Sequence, residues 1–181
     1  MKKIFTLFAV VLMAVTTVKA QLEVGAIVGG MNGASAKYWL NNQLAIQADL
    51  AVGLTEAYGG IYYKGQTAGS GSISLYDFTL NPNALYHIDL VSDFKFYAGG
   101  GLSLGLVGPL ETSASQAVMG KFGLNAVAGV CYELSQAPLV LAFDFRPGYG
   151  LAFQGENGAL LGPAHLSYFD WKLGFAVRYR L

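Results

Sequence analysis

Trp171-Lys172-Leu173-Gly174-Phe175-Ala176-Val177-Arg178-Tyr179-Arg180-Leu181 closes the chain and decides how the rest is read. Every second residue from Trp171 to Leu181 is a large apolar or aromatic one, and the residues between them are Lys, Gly, Ala or Arg. A period of two belongs to an extended strand, whose successive side chains leave by opposite faces; a helix would repeat at three and four. The same alternation sets Leu44, Ile46, Ala48, Leu50, Val52 and Leu54 against Ala45, Gln47, Asp49, Ala51 and Gly53.

Working outward from these two stretches, the pattern predicts eight strands: Leu22 to Gly30, Ala34 to Leu40, Leu44 to Leu54, Ser72 to Leu90, Lys95 to Val107, Lys121 to Leu134, Leu139 to Phe153 and Leu166 to Leu181. Tight links follow the second, fourth and sixth at Asn41-Asn42-Gln43, Val91 to Phe94 and Ser135 to Pro138. Longer Gly-rich or polar stretches follow the third, fifth and seventh: Thr55 to Gly71, Gly108 to Gly120 and Gln154 to His165. Met31-Asn32-Gly33 is a short link on the long-loop side. Short turns at one end and long loops at the other predict an all-β fold, an eight-stranded antiparallel up-and-down transmembrane β-barrel with both termini on the short-turn side.

Composition agrees with strands that cross a membrane. Of 181 residues, 54% are hydrophobic and 12% charged, too apolar and too weakly charged for a disordered chain. Eleven basic and eleven acidic residues cancel, so no basic field points to nucleic acid. A single cysteine, Cys131, excludes an internal disulfide and a Cys-rich zinc module, and it is expected to pack as a small inward residue. The first twenty residues combine basic Lys2 and Lys3, an apolar run from Ile4 to Val18, and the small-residue exit Val18-Lys19-Ala20. That order predicts a cleaved signal peptide over 1–20 and a barrel over 21–181, with export by the general secretory pathway. Without Lys2, Lys3 and Lys19, the remaining 181 − 20 = 161 residues carry 8 basic against 11 acidic groups, a net of −3.

Alternation alone fits a soluble barrel, apolar inside, as well as a membrane barrel, apolar outside. Volume separates them, because an eight-stranded barrel has an interior just wide enough to be filled by side chains. Phe143, Phe145, Tyr149, Phe153, Trp171, Phe175 and Tyr179 would overfill it. The opposite set, rich in glycine and alanine, fits inside, so the apolar set is assigned to lipid; a soluble lipocalin-like barrel is the alternative. By this parity Glu23, Asp49, Asp77, Asp89, Glu133, Asp144 and Asp170 face the lumen beside Lys37, Lys95, Lys121, Arg146, Lys172, Arg178 and Arg180. Seven carboxylates against seven cations is the balance expected of a plugged interior, since buried charges persist when paired. The net negative charge then falls on loops and turns, where Glu56, Asp93, Glu111 and Glu156 outnumber Lys64.

Three stretches carry a family resemblance: Lys37-Tyr38-Trp39-Leu40-Asn41-Asn42, Ala84-Leu85-Tyr86-His87 followed by Phe96-Tyr97-Ala98-Gly99-Gly100-Gly101, and the final strand. With them the chain resembles the small eight-stranded outer-membrane β-barrels of the OmpA/OmpX-like type, in particular members consisting of signal peptide and barrel only. The resemblance implies that Lys172, Gly174, Val177, Tyr179 and Leu181 form the C-terminal signal read by the barrel-assembly machinery, with Leu181 in place of the terminal Phe usual in many members. It further implies a cell outer membrane location, a periplasmic position for both termini, and contact with the lipid bilayer and lipopolysaccharide. A monomer without cofactors or nucleic-acid partners is expected.

Four features invite a chemical reading. Gly101-Leu102-Ser103-Leu104-Gly105 matches the G-x-S-x-G nucleophile pattern, which needs a strand-to-helix turn; here it lies inside an alternating strand. His165-Leu166-Ser167 resembles the His-x-Ser pair of outer-membrane lipid A deacylases, with Asp170 or Glu156 as candidate orienting acid. His87 among Asp77, Asn81, Asn83 and Asp89 invites a metal reading, but one histidine without a spacing motif fits a hydrogen-bonded lumen residue better. Tyr58, Tyr62, Tyr63 and Tyr76, with Gly59, Gly60, Gly65, Gly69 and Gly71, make the 55–71 stretch the candidate contact for an extracellular ligand. The expected role is therefore structural or surface-interacting, with no metal and no catalysis; the alternatives are a lipid A-modifying enzyme, a narrow pore, or an adhesin or receptor.

Overall fold

A computed structural model describes residues 22–63, 66–109, 118–153 and 164–181. The eight strands are β1 (Leu22–Gly29), β2 (Met31–Trp39), β3 (Leu44–Tyr63), β4 (Gln66–Val91), β5 (Phe94–Pro109), β6 (Met119–Glu133), β7 (Leu139–Phe153) and β8 (Ala164–Arg180). They follow chain order round a closed antiparallel barrel, and β8 returns to β1 with Glu23 opposite Arg180 and Gly29 opposite Gly174. Closure removes every free sheet edge along that seam, which a strand pair in a membrane requires.

The tight turns have local causes. At 40–43 the Asn41 side-chain oxygen accepts from the backbone N–H groups of Gln43 and Leu44 at 2.8 and 2.7 Å, an Asx turn that reverses the chain. Between β1 and β2 the reversal falls at Gly29-Gly30 and not at Met31-Asn32-Gly33. Gly29 has φ +121°, a conformation closed to residues with a Cβ, and the Asn32 amide brackets the turn by bonding both the N–H and the C=O of Gly29. Met31-Asn32-Gly33 therefore begins β2.

The largest departure from the sequence reading is at 55–71. The expected loop is instead the upper part of a hairpin, with β3 paired to β4 as far as Tyr63 opposite Gln66. β1 and β2 are 8 and 9 residues long, whereas β3 and β4 run for 20 and 26. Above the short hairpin β3 meets β8 directly, with Tyr58 opposite Phe169 and Tyr63 opposite Ala164. The barrel thus has eight strands at the turn end and six at the loop end. Much of the other two expected loops, and the leader over 1–20, lie outside the described residues, as do Lys64, Glu111 and Glu156.

Candidate functional site

Parity becomes geometry in the wall. Val52, Leu124, Phe143, Trp171 and Phe175 are among the large apolar side chains on the exposed face, Trp171 at 56% exposure, whereas Glu23, Lys37, Asp49 and Arg178 on the opposite face are at 0%. A belt of bulky apolar groups right round a molecule is far larger than the patches that water tolerates, and lipid is the solvent it fits. Exposed Tyr76, Tyr149 and Trp171 ring the loop end of the belt, and Tyr86, Phe94, Tyr132 and Tyr179 the turn end, as the aromatic girdles of a membrane barrel do.

The lumen is filled in tiers. At the turn end Arg180 joins Glu23 at 2.8 Å and Glu133 at 2.9 Å; Lys95 also holds Glu133 at 2.9 Å, and the Trp39 indole N–H donates to Glu23 at 2.8 Å. In the middle, Arg146 of β7 spans the barrel. Its Nε and Nη2 fork onto the two oxygens of Asp144 at 2.7 and 2.9 Å, and its Nη1 donates to Asp49 of β3 at 2.6 Å. Tyr97 donates to Asp144 at 3.0 Å and Gln47 to Asp49 at 2.9 Å, so each carboxylate is held from two sides. Nearer the loop end, Lys121 bridges Asp77 and Asp170 at 3.0 and 3.4 Å, and Lys172 reaches the same pair. A residual cavity of about 30 Å³ lies among Ser103, Lys121, Asn125, Arg146, Asp170 and Lys172, room for a water or two.

Small residues make the space for this network. A Cβ on Gly129 would meet the Phe143 carbonyl oxygen at 2.5 Å and the Tyr97 ring at 2.7 Å, so the glycine lets Tyr97 lie flat along the wall to reach Asp144. The lumen also holds bulk that the glycine-rich sequence pattern hides: Ile27, Leu85, Val127, Tyr97, Trp39 and Tyr168 are all buried. Trp39 and Tyr97 both pack against His87 with tilted rings, their centroids 4.3 and 5.1 Å away. Their parity with Lys37 and Lys95 is the sequence signal that would have placed them inside.

No protein-family model and no curated protein matches the chain. Among solved structures it is similar to the crystal structure of Neisserial surface protein A, at 21% identity and TM-score 0.55 over 90% of this chain and 94% of that one. The fold is that of the outer-membrane β-barrels. The barrel also resembles a major outer membrane protein of Thermus thermophilus, at 14% identity and TM-score 0.52 over 91% of this chain and 100% of that one. A third match is the N-terminal β-barrel domain of Pseudomonas aeruginosa OprF, at 14% identity and TM-score 0.51 over 90% and 96%.

On this outer-membrane barrel fold the sequence candidates separate. Asp89 keeps its register opposite Lys95 of β5 and lies at the turn-end mouth of the lumen, its side chain 71% exposed and 3.7 Å from the Lys95 ammonium. His87 is buried, but its neighbours are not metal ligands. The Lys37 ammonium, which can only donate, lies 3.2 Å from Nε2, leaving Nδ1 to donate to the Gln43 carbonyl at 3.3 Å. Among the described residues no group of three or more His, Cys, Asp or Glu could hold a metal ion. Ser103 borders the lumen cavity in the middle of β5, an unbroken strand without the turn a nucleophile needs. On β8, Leu166, Tyr168 and Asp170 are buried on the lumen face, and Ser167 pairs opposite Leu151 and His165 opposite Phe153 on the other face. Asp170 is held by Lys121 inside, with the wall between it and His165 and Ser167. Cys131 is buried. Gly174 and Arg178 face inward and Val177, Tyr179 and Leu181 outward in the last strand, with Lys172 partly buried on the inner side.

Proposed function

We propose that this chain is an outer-membrane protein with a closed, ion-paired lumen, acting as a structural or surface-interaction element and not as a pore or an enzyme. The observation that carries the reading is Arg146, which ties β7 to β3 through Asp144 and Asp49 across the interior. A conducting path would have to break those buried pairs, while a pore needs sites that ions can leave. The purified protein in planar bilayers should give no steady single-channel current; a stable conductance in most insertions would refute a closed lumen.

Orientation follows the usual logic of such barrels: both termini periplasmic, the tight turns with them, the β3–β4 hairpin outside, and insertion by the barrel-assembly machinery through the β8 signal. Absence of catalysis is supported by the opposed faces of His165, Ser167 and Asp170 on β8. Ser167→Ala should leave lipid A acylation unchanged by mass spectrometry, and an altered acylation pattern would revive the hydrolase reading.

Surface interaction is favoured over a purely structural role by the length of β3 and β4, 20 and 26 residues against 8 and 9 in β1 and β2. That excess lifts the β3–β4 hairpin above the β1–β2 hairpin, with β8 paired along β3 as far as Tyr63, and an extended strand pair is a ready surface for an extracellular ligand. Cells carrying a chain trimmed between 58 and 71 should lose surface binding while keeping a folded barrel; unchanged binding would return the role to the membrane itself.

A further inference from the structure

The β1–β2 hairpin is too short to reach the top of the lipid-facing belt. Val24 lies opposite Tyr179 of the turn-end girdle, and the chain reverses at Gly29-Gly30. From Val24 to Gly30, six residues of strand tilted by about 40° rise about 16 Å, against an apolar band about 25 Å tall. On β8, Trp171 of the loop-end girdle is three residues beyond Gly174, the partner of Gly29. The hairpin tip therefore stops inside the apolar band, below the loop-end girdle.

The tip is built for that depth. Hydrocarbon offers no water to backbone groups, so a turn placed there must be satisfied by protein. The Asn32 amide bonds the N–H and the C=O of Gly29 at 3.2 and 3.3 Å, and the Gly30 N–H donates to the Leu173 carbonyl at 2.8 Å. Neither glycine has a side chain to fill the space above it. Past the tip, β3 continues with outward Leu54, and Tyr76 of β4 stands opposite it. The result is a recess of about 420 Å³ in the outer wall. Gly29, Gly30 and Asn32 form its ledge, and Val52, Leu54 and Tyr76, all exposed, its apolar side.

The recess is continuous with a belt whose solvent is lipid, and its volume falls in the range of about 300–1,000 Å³ typical of ligand pockets. Water in it would face Val52 and Leu54 without partners, and a void would forfeit dispersion contacts along the whole lining. The polar groups of the ledge are bonded within the protein, so the place calls for an apolar occupant. A flexible aliphatic chain can enter such a notch, whereas the convex wall of a second barrel cannot.

We propose that the recess binds one acyl chain of a bilayer lipid of the loop-end leaflet, and holds it in preference to the chains round the rest of the belt. The site rests on the membrane-barrel fold alone; neither the closed lumen nor a surface ligand enters into it.

The test uses the full barrel in nanodiscs of dimyristoylphosphatidylcholine doped with the same lipid carrying a photoactivatable diazirine in its acyl chain. After illumination, mass spectrometry of the digested protein locates the adducts. Labelling at Gly29–Asn32, Val52, Leu54 and Tyr76 should exceed that at Phe175 and Phe143, an exposed pair of the belt beside the hairpin, by about tenfold, equivalent to about 1.4 kcal/mol of preference. Leu54→Trp or Val52→Trp fills the recess from an exposed position and should bring the excess down to the level of the belt, with heat-modifiable migration showing that the barrel persists. Even labelling all round the wild-type belt, or an excess that survives both filled variants, overturns the proposal. A diazirine-bearing free fatty acid in place of the labelled phospholipid is the third arm: an excess seen with the fatty acid and not with the phospholipid also overturns it, because the recess would then take a free solute and not a leaflet lipid.

Discussion

Replacing Arg146 by methionine removes a group that bonds both Asp49 and Asp144. Three charge-assisted hydrogen bonds are lost, at 2.6, 2.7 and 2.9 Å. At about 1.5–3 kcal/mol each they would sum to about 5–9 kcal/mol, an upper bound, since bonds within one network are not additive. Stripping one partner from a buried pair costs about 3–5 kcal/mol, and this is the expected loss, because both carboxylates are at most 1% exposed. The assay is reversible urea unfolding in detergent micelles or thin liposomes, followed by tryptophan fluorescence and by heat-modifiable migration on gels. A variant that also carries Asp49→Asn and Asp144→Asn should recover most of the loss, because it removes the charges together. If Arg146→Met alone cost less than about 1 kcal/mol, on the scale of a surface pair, the carboxylates would have to be hydrated and the plugged lumen would be wrong.

Three further outcomes are expected. Phe145→Arg places a charge on the lipid face and should cost about 2–4 kcal/mol near the bilayer midplane, whereas in a soluble barrel the same exposed position would tolerate it; unfolding in liposomes distinguishes the two. Gly129→Ala forces its methyl against Tyr97 and the Phe143 carbonyl and should cost about 1–3 kcal/mol, visible as a lowered urea midpoint with an unchanged slope. Cys131 is 1% exposed, so a maleimide should label it in urea and not in the folded barrel; rapid labelling of the folded form would show that the turn end opens.

Strand parity was legible because lipid outside and a narrow lumen inside impose opposite demands on alternate residues. Trp171 and Lys172 cannot exchange faces. The lumen charges follow from the same parity, with Asp89 at the open mouth opposite Lys95. Their partners were not legible. Arg146 and Asp49 are 97 residues apart, and their meeting depends on the tilt and stagger of strands on opposite sides of the barrel. The 55–71 stretch misled for a related reason. Gly59, Gly60, Gly69 and Gly71 have little strand preference of their own, and what makes them extended is pairing across the hairpin, Gly59 with Gly71 and Gly60 with Ser70. Composition there describes a loop, while the partner strand dictates the backbone.

The β1–β2 hairpin acts as a wedge. Where it ends, β3 and β8 zip together with Tyr58 opposite Phe169; each further step down β3 is one step up β8, so continuing the zipper would put Gly53 opposite Gly174 and Asp49 opposite Arg178. Small residue would meet small residue and acid would meet base, so the same chain carries a compatible seam for a six-stranded ring. Lengthening the wedge should unzip β3 from β8 and widen the outer section, and shortening it should narrow the barrel from the outside inward. The length of this one hairpin therefore sets the height at which eight strands give way to six.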